Sequence, residues 1–435
     1  MKIAILGFGI EGHSAYEYWN KEDNEITICD RDESIEIPSD GHSKLGPTYL
    51  SDLDQFDLIV RSPSLYPGDI VKANSSSILD KVTTSTNDFF KMSPSKNIIG
   101  VTGTKGKGTT STLIANLLKA SGRRVHLGGN IGSSAIDLLK NQIQPDDWIV
   151  LELSSFQLID LKYSPVIAVC LMIAPEHLNW HLDMDEYINA KSNIFKYQMI
   201  SDTAIYFADN SYSKKLAEKS PGRKIPYFAK PGAVVDDDNF VIDDQVICKT
   251  SEIKLIGKHN WQNICAALTA YWQVDQNQTV ARDVMIGFNG LEHRLELFSA
   301  KNGIRYYNDS FASVPDATMA AIESIPGQKV MIIGGFDRGL DLSNLANSIK
   351  QHEIEVERVI LIGASAQRTA EALERANFFN FQICNAKTMK DIVQLANETA
   401  KSSGSIVLSP GFPSFDMFKN FEDRGKQFKE VVNDL

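Results

Sequence analysis

Short apolar runs alternate along the chain with longer stretches of mixed character. Lys2-Ile-Ala-Ile-Leu6, Glu25-Ile-Thr-Ile-Cys29 and Asp57-Leu-Ile-Val60 read as buried strands, and Ile98-Ile-Gly-Val-Thr102 as another. After it, Leu113, Ile114, Leu117 and Leu118 recur at helical spacing, which predicts a helix beginning near Thr109. Asp147-Trp-Ile-Val-Leu-Glu152 and Val166–Ile173 are near-continuous apolar runs, the pattern of strands covered on both faces. Later strands are predicted at Lys329–Ile333, Arg358–Ile362, Phe381–Cys384 and Ser405–Leu408, with helical stretches between them. This alternation predicts doubly wound α/β sheets. Met92-Ser-Pro-Ser-Lys-Asn97 reads as a polar linker and Gly290-Leu-Glu-His293 as a hinge. The predicted architecture has three α/β domains: 1–93 Rossmann-like, 94–290 a central phosphate-loop ATPase-type sheet, and 291–435 again Rossmann-like.

Two glycine-rich turns carry the first chemistry. Gly103-Thr104-Lys105-Gly106-Lys107-Gly108-Thr109, between a strand and a helix, places backbone N–H groups and a helix dipole around one hollow suited to phosphate. Lys107 would reach the terminal phosphates, and Thr109 would supply the metal-side hydroxyl, one residue later than in the strict phosphate-loop pattern. The other turn, Gly7-Phe-Gly9-Ile10-Glu11-Gly12, follows the first strand, and Asp30 ends the second at a distance suited to a ribose hydroxyl. Alone this suggests NAD. The region ends near residue 93, however, and that space fits a mononucleotide-sugar better. Ser64, in the turn after the strand ending at Val60, would also face such a ligand.

The remaining candidates lie after strand ends, where open α/β sheets collect ligands. Glu152 is a carboxylate opposite the phosphate loop, with a Mg²⁺ role, and His177 is a second metal candidate. Lys191 and Lys196 read from composition as surface lysines. Asn260 and Asn263 share a helix face and suit an adenine edge or a helix cap. Asp309, Arg338 and Ser414 fall in the turns of the third domain.

Bulk properties narrow the class. The chain has 435 residues, 43% hydrophobic and 23% charged, with a formal net charge of −11, which argues against a nucleic-acid scaffold. No apolar run is long enough to span a membrane, and the N-terminus enters a strand without a signal-peptide pattern. The five cysteines have no metal-ligand spacing, so reduced thiols in a cytoplasm are expected. ATP with three substrate-sized pockets suggests a ligase. An NAD-dependent oxidoreductase, a non-catalytic nucleotide sensor and a folate polyglutamate ligase are the alternatives.

Taken together, Gly103–Thr110, Gly129-Asn130-Ile-Gly132, Leu151-Glu152-Leu-Ser-Ser-Phe-Gln157, Glu176-His177 and His293-Arg294 resemble the Mur ligase family over essentially the whole chain. Leu151–Gln157 and Ser414-Phe-Asp-Met-Phe-Lys-Asn-Phe421-Glu-Asp-Arg424-Gly resemble its glutamate-adding branch, and the Asp-Asn-Pro-Arg of the diamino-acid-adding branch is missing. The resemblance implies ATP-dependent addition of D-glutamate to UDP-N-acetylmuramoyl-L-alanine through an acyl phosphate, by a cytoplasmic monomer using ATP and Mg²⁺.

The same resemblance implies roles. Lys107 and Thr109 would hold ATP phosphates and Mg²⁺, Glu152 and His177 would bind magnesium, and Lys191 would be carbamylated to make a further ligating carboxylate. Asn260 and Asn263 would meet adenine, with Arg294 and Asp309 at phosphate and ribose. Gly9, Ile10, Glu11, Asp30, Arg31, Ser64 and Asn130 would face the UDP substrate. Arg338, Ser414, Phe415 and Phe421 would surround glutamate. Phe311, Ser313, Gly411-Phe-Pro413 and Arg338 depart from the D-glutamate pattern and resemble members that add L-glutamate, so L-glutamate stands as the alternative.

Overall fold

The computed structural model describes residues 1–39, 41–255, 257–400 and 404–435. The chain forms two compact units. One comprises Met1–Glu252 with His259–Gly287, the other Ile253–Lys258 with Phe288–Leu435.

The first unit holds two parallel sheets. Strands β1 (Lys2–Leu6), β2 (Glu25–Asp30), β3 (His42–Leu45), β4 (Leu58–Arg61) and β5 (Val82–Thr83) lie in the order β3-β2-β1-β4-β5, every pair parallel. Alternate residues feed two cores. Ala4, Leu6 and Ile59 point to one face, Ile3, Ile5 and Val60 to the other, as period-two side chains require. The second sheet has β6 (Ile98–Thr102), β7 (Val125–Gly129), β8 (Trp148–Glu152), β9 (Ile167–Cys170), β10 (Thr203–Phe207) and β11 (Arg223–Tyr227), ordered β11-β10-β9-β6-β8-β7 and again parallel throughout. Strand β6 is buried at every position and sits mid-sheet, so the turn at its carboxyl end opens at the centre of the sheet edge.

A three-stranded antiparallel ribbon of β12 (Val234–Asp236), β13 (Asn239–Ile242) and β14 (Gln245–Lys249) follows. Both of its turns are Asp-Asp pairs at positive φ, 43° and 61° at Asp237-Asp238 and 50° and 58° at Asp243-Asp244. Paired positive φ values match the right-handed twist of the flanking strands.

In the expected linker at 92–97, Met92, Pro94 and Lys96 are exposed, while Ser93 and Ser95 are buried and the helix before it is packed. Phe89 and Phe90, from the helix Ser85–Met92, belong to the core of the second sheet. Ser95 is fully buried and donates to the Asp147 carbonyl at 2.6 Å. Arg61, which leads into the turn holding Ser64, has a structural partner. Its buried guanidinium grips Asp160 with Nε and Nη2 at 2.8 Å each, Phe156 O at 2.9 Å and Leu65 O at 2.7 Å. It thereby ties the first sheet to the second. Breaking a buried pair from one side strands the other charge, so Arg61→Met is expected to lower unfolding stability by about 3–5 kcal/mol. Urea unfolding of the variant checks this, and a loss below about 1 kcal/mol would contradict the clamp.

The second unit contains β15 (Glu296–Lys301), β16 (Ile304–Asn308), β17 (Lys329–Gly334), β18 (Val356–Ile362), β19 (Phe381–Ile383) and β20 (Ser405–Leu408), ordered β15-β16-β20-β17-β18-β19. Only β15 is antiparallel to its neighbour. Separate apolar cores cover the two faces.

Candidate functional site

The turn after β6 has the geometry a phosphate loop needs. Gly103 and Gly106 have φ of +155° and +86°, and the helix Lys107–Ala120 starts directly after Gly106. That is two residues before the expected Thr109. Neither glycine tolerates a side chain: a Cβ on Gly103 would lie 2.6 Å from Leu171 Cβ, and one on Gly106 2.1 Å from Asn263 Oδ1. Thr104 ties the loop down. Its N–H donates to Met172 O at 2.8 Å and its hydroxyl lies 2.9 Å from the Tyr187 hydroxyl. Lys107 Nζ donates to the Gly103 and Thr104 carbonyls at 3.1 and 3.0 Å. Lys105 is exposed, whereas Gly108 and Thr109 are buried in the first helical turn.

Three further predicted residues come to this edge. Lys191, on the helix Met184–Lys196, is 2% exposed, against the surface position that composition suggests. Its Nζ donates to Gly103 O at 2.9 Å and Thr102 Oγ1 at 3.3 Å, and lies 4.8 Å from the Tyr187 ring centre. Burial, reinforced by the positive charge of Lys107, lowers its pKa to about 7. Glu152 ends β8, is buried, and accepts from Asn130 Nδ2 at 2.9 Å. His177 is half-exposed, with φ +58° and its ring 4.8 Å from that of Phe156. Its pKa is lowered by burial and by Lys107 and Lys191, against the opposing pull of Glu176. Lys191 also feels Glu152 and Glu176. These groups therefore share one electrostatic neighbourhood.

Sequence reasoning missed Thr102 and Tyr187. Tyr187 lies four residues before Lys191 on the same helix face, which was the available signal. Asn260 and Asn263 are buried and joined, Asn263 Nδ2 to Asn260 Oδ1 at 2.9 Å. The shared face holds, and it abuts the phosphate loop through Gly106.

At the first sheet, Gly12 is required by packing, since a Cβ there would come 2.1 Å from Gly7 O. Asp30 supports that turn directly: its carboxylate accepts from Phe8 N at 2.6 Å and Asp32 N at 2.9 Å. Glu11 is engaged with the second sheet, accepting from Gln157 Nε2 at 3.0 Å and Ser134 Oγ at 3.1 Å, and burial raises its pKa. Gly9, Ile10, Arg31 and Asn130 are exposed. Ser64 gives its carbonyl to Trp180 Nε1 at 2.8 Å.

In the second unit, Asp309 follows β16. It accepts from Ser409 Oγ at 2.7 Å and Leu295 N at 3.0 Å, and burial raises its pKa to about 7. Arg294 lies over the Phe311 ring at 5.6 Å, and Phe311 meets Phe421 edge-on at 5.1 Å. Ser414 is buried, while Phe415 and Arg338 are exposed. The turn holding Arg338 is braced by the pair Arg368–Asp337, at 2.6 and 2.7 Å.

For a hard divalent cation, Glu152, His177 and Thr109 supply carboxylate, imidazole and hydroxyl donors, a set that magnesium accepts with water completing its shell. The tightest group of ligating atoms among the described residues is elsewhere, at Glu292, His293 and Glu296. There Lys429 Nζ already sits 2.9 Å from Glu292 and 2.7 Å from Glu296, which makes it an ion-pair cluster.

A glycine loop at the centre of a parallel sheet edge, with a lysine at the helix start and a buried carboxylate ending a neighbouring strand, defines a nucleotide-dependent enzyme of the phosphate-loop class. Family models narrow the class. The Mur ligase middle domain matches residues 101–271, and the Mur ligase glutamate ligase domain matches residues 293–412. A UDP-N-acetylmuramoylalanine–D-glutamate ligase of Clostridium kluyveri is 36% identical, covering 100% of this chain and 97% of the relative. Among solved structures, the UDP-N-acetylmuramate–alanine ligase of Thermotoga maritima matches with TM-score 0.61 at 16% identity, covering 100% of this chain and 99% of that one. The MurF ligase of Thermotoga maritima in complex with ADP matches with TM-score 0.59 at 15% identity, over 87% of this chain and 88% of that one. The chain belongs to the Mur ligase family and is an ATP-dependent ligase that joins an acid to an amino acid.

Proposed function

We propose that this enzyme adds glutamate to UDP-N-acetylmuramoyl-L-alanine, converting ATP to ADP and phosphate, in peptidoglycan precursor synthesis. Full-length similarity to relatives named for that reaction supports the reading. The observation that carries it is the grouping of Lys107, Lys191 and Glu152 around the carboxyl ends of β6 and β8.

The acid's carboxylate attacks the γ-phosphorus and ADP leaves, giving an acyl phosphate. The glutamate amine then attacks the acyl carbon, loses a proton and expels phosphate. The difficulty is charge, because a carboxylate must approach a polyphosphate. Lys107 and the loop N–H groups neutralise phosphate oxygens and fix their direction. Magnesium would supply the remaining charge neutralisation between the reactants. Glu152, His177, Thr109 and a carbamylated Lys191 would hold it. A lysine amine must be neutral to take up carbon dioxide, and burial favours that form at Lys191.

In this reading, residues 1–93 receive the UDP substrate through the Gly9–Glu11 turn, Asp30, Arg31 and Ser64, with Asn130 nearby in sequence to the second sheet's loops. Residues 94–290 bind ATP, and 291–435 bind the amino acid. Asn260 and Asn263 serve adenine, and Arg294 and Asp309 serve phosphate and ribose. Arg338, Ser414, Phe415 and Phe421 serve glutamate. The enzyme works as a cytoplasmic monomer without nucleic acid. No helix among the described residues is long and apolar enough to cross a membrane.

D-Glutamate is the favoured isomer. The exposed aromatic Phe311, where a lysine is usual, keeps L-glutamate as the second reading. Phosphate release from ATP and UDP-N-acetylmuramoyl-L-alanine, with each isomer supplied separately, is expected to be at least about tenfold faster with D-glutamate, the discrimination two differently filled contacts allow. Faster release with L-glutamate reverses the stereochemistry. Release with neither rejects the reaction.

A further inference from the structure

The glutamate-side loops rest on a buried cation that no predicted role includes. Arg424 lies on the helix Phe421–Asn433, whose buried positions are Arg424, Gly425, Phe428 and Val432. The guanidinium thus occupies a core-facing position beside apolar neighbours and is fully buried. Its Nε donates to Ser310 Oγ at 2.9 Å, Nη2 to Ser310 O at 2.8 Å and Nη1 to Phe412 O at 3.1 Å. A Cβ on Gly335 would come 3.3 Å from Nη1, so the third turn packs against it too. These turns follow β16, β20 and β17, which are neighbours in that order.

Backbone bonds join the same turns above it. Phe336 N donates to Pro413 O at 2.8 Å and Gly411 N to Ala312 O at 2.9 Å. Among the described residues, no carboxylate forms an ion pair with Arg424, whose donors go to carbonyls and a hydroxyl. A charge held by carbonyls and a hydroxyl, with Asp416 and Asp309 acting on it only at longer range, is costly to bury. A nonpolar residue would cover the core at lower cost, so what the cation provides is the fixed fork that sets several loop carbonyls at once.

We infer that Arg424 is a positioning residue for the amino-acid substrate: it fixes the turns after β16, β20 and β17 so that Ser414 and its neighbours present one rigid receptor for the incoming amino acid. This rests on the glutamate-ligase reading above. The nucleotide-side residue Asp309 adjoins Ser310 but has its own supports, Ser409 and the Leu295 N–H. Asp309 also feels the Arg424 charge at longer range, so loss of Arg424 is expected to act mainly on the amino acid and only weakly on ATP.

The test compares wild type, Arg424→Lys, Arg424→Met and Ser310→Ala in steady-state phosphate release, varying glutamate and ATP in turn, with thermal unfolding in parallel. Ser310→Ala removes one acceptor of the fork and keeps the charge, so it reports even if Arg424→Met fails to fold. The expected result is a KM for glutamate raised about tenfold or more in folded Arg424 variants, as misplaced substrate contacts produce. Ser310→Ala shifts it in the same direction by less. The KM for ATP stays within about twofold in every folded variant, as for contacts made to the other substrate alone. Arg424→Lys gives little rescue, because an ammonium cannot reproduce the fork. An unchanged glutamate KM in Ser310→Ala and in any folded Arg424 variant, or equal rises for ATP and glutamate, overturns the inference. A wild type that releases no phosphate with either glutamate isomer overturns the functional reading instead.

Discussion

Lys107→Ala is expected to lower ADP release by about 10³-fold or more, since removal of one preorganised charge at a developing oxyanion costs on this order. The melting temperature should move little. Nζ donates to carbonyls of its own loop, and the left-handed glycines and the anchoring of Thr104 hold the backbone of the turn. A coupled ADP assay beside a circular-dichroism melt separates the outcomes. Full turnover in a folded variant would remove Lys107 from the chemistry. A collapsed melt would make it structural.

The second large effect belongs to Lys191. Lys191→Met should lose turnover by about 10²-fold or more, the scale of lost metal-supporting contacts. Wild-type activity should fall after carbon dioxide is stripped from the buffer and return on adding bicarbonate. The pH dependence has a definite sign. The folded-state pKa is about 7, below the ordinary 10.5, so between those values the unfolded chain binds more protons than the native one. The contribution of this group to stability therefore rises with pH across the window and is smallest below pH 7. Lys191→Met should abolish that component of the pH–stability curve. A variant that keeps wild-type turnover, with or without bicarbonate, would end the carbamate reading.

These predictions draw unequally on sequence and structure. The strands β1, β6, β8 and β20 were legible because each is buried on both faces and reads as an unbroken apolar run. The loop at Gly103–Lys107 was legible because glycine is the residue that accepts its backbone angles. Lys191 was not, since composition treats lysine as solvated and only the packing of its helix over β6 takes water away. Arg61 is a second such case: composition treats an arginine as solvated, but its guanidinium has turned inward onto Asp160. The ribbon β12–β14 escaped because its turns are Asp-Asp rather than the glycine-containing pairs that usually mark such hairpins. Arg424 left a trace, standing four and eight residues before Phe428 and Val432 on one helix face, but composition treats an arginine as solvated.

Gly106 carries a consequence for how this enzyme can change over generations. Two independent barriers close that position. Its left-handed backbone strains any L side chain, and the amide of Asn263 occupies the space a first carbon would need. A single substitution at residue 263 lifts only one barrier, and a single substitution at 106 meets both. A small molecule pressed against the backbone at residue 106 would therefore meet a surface that substitution at that position cannot readily reshape.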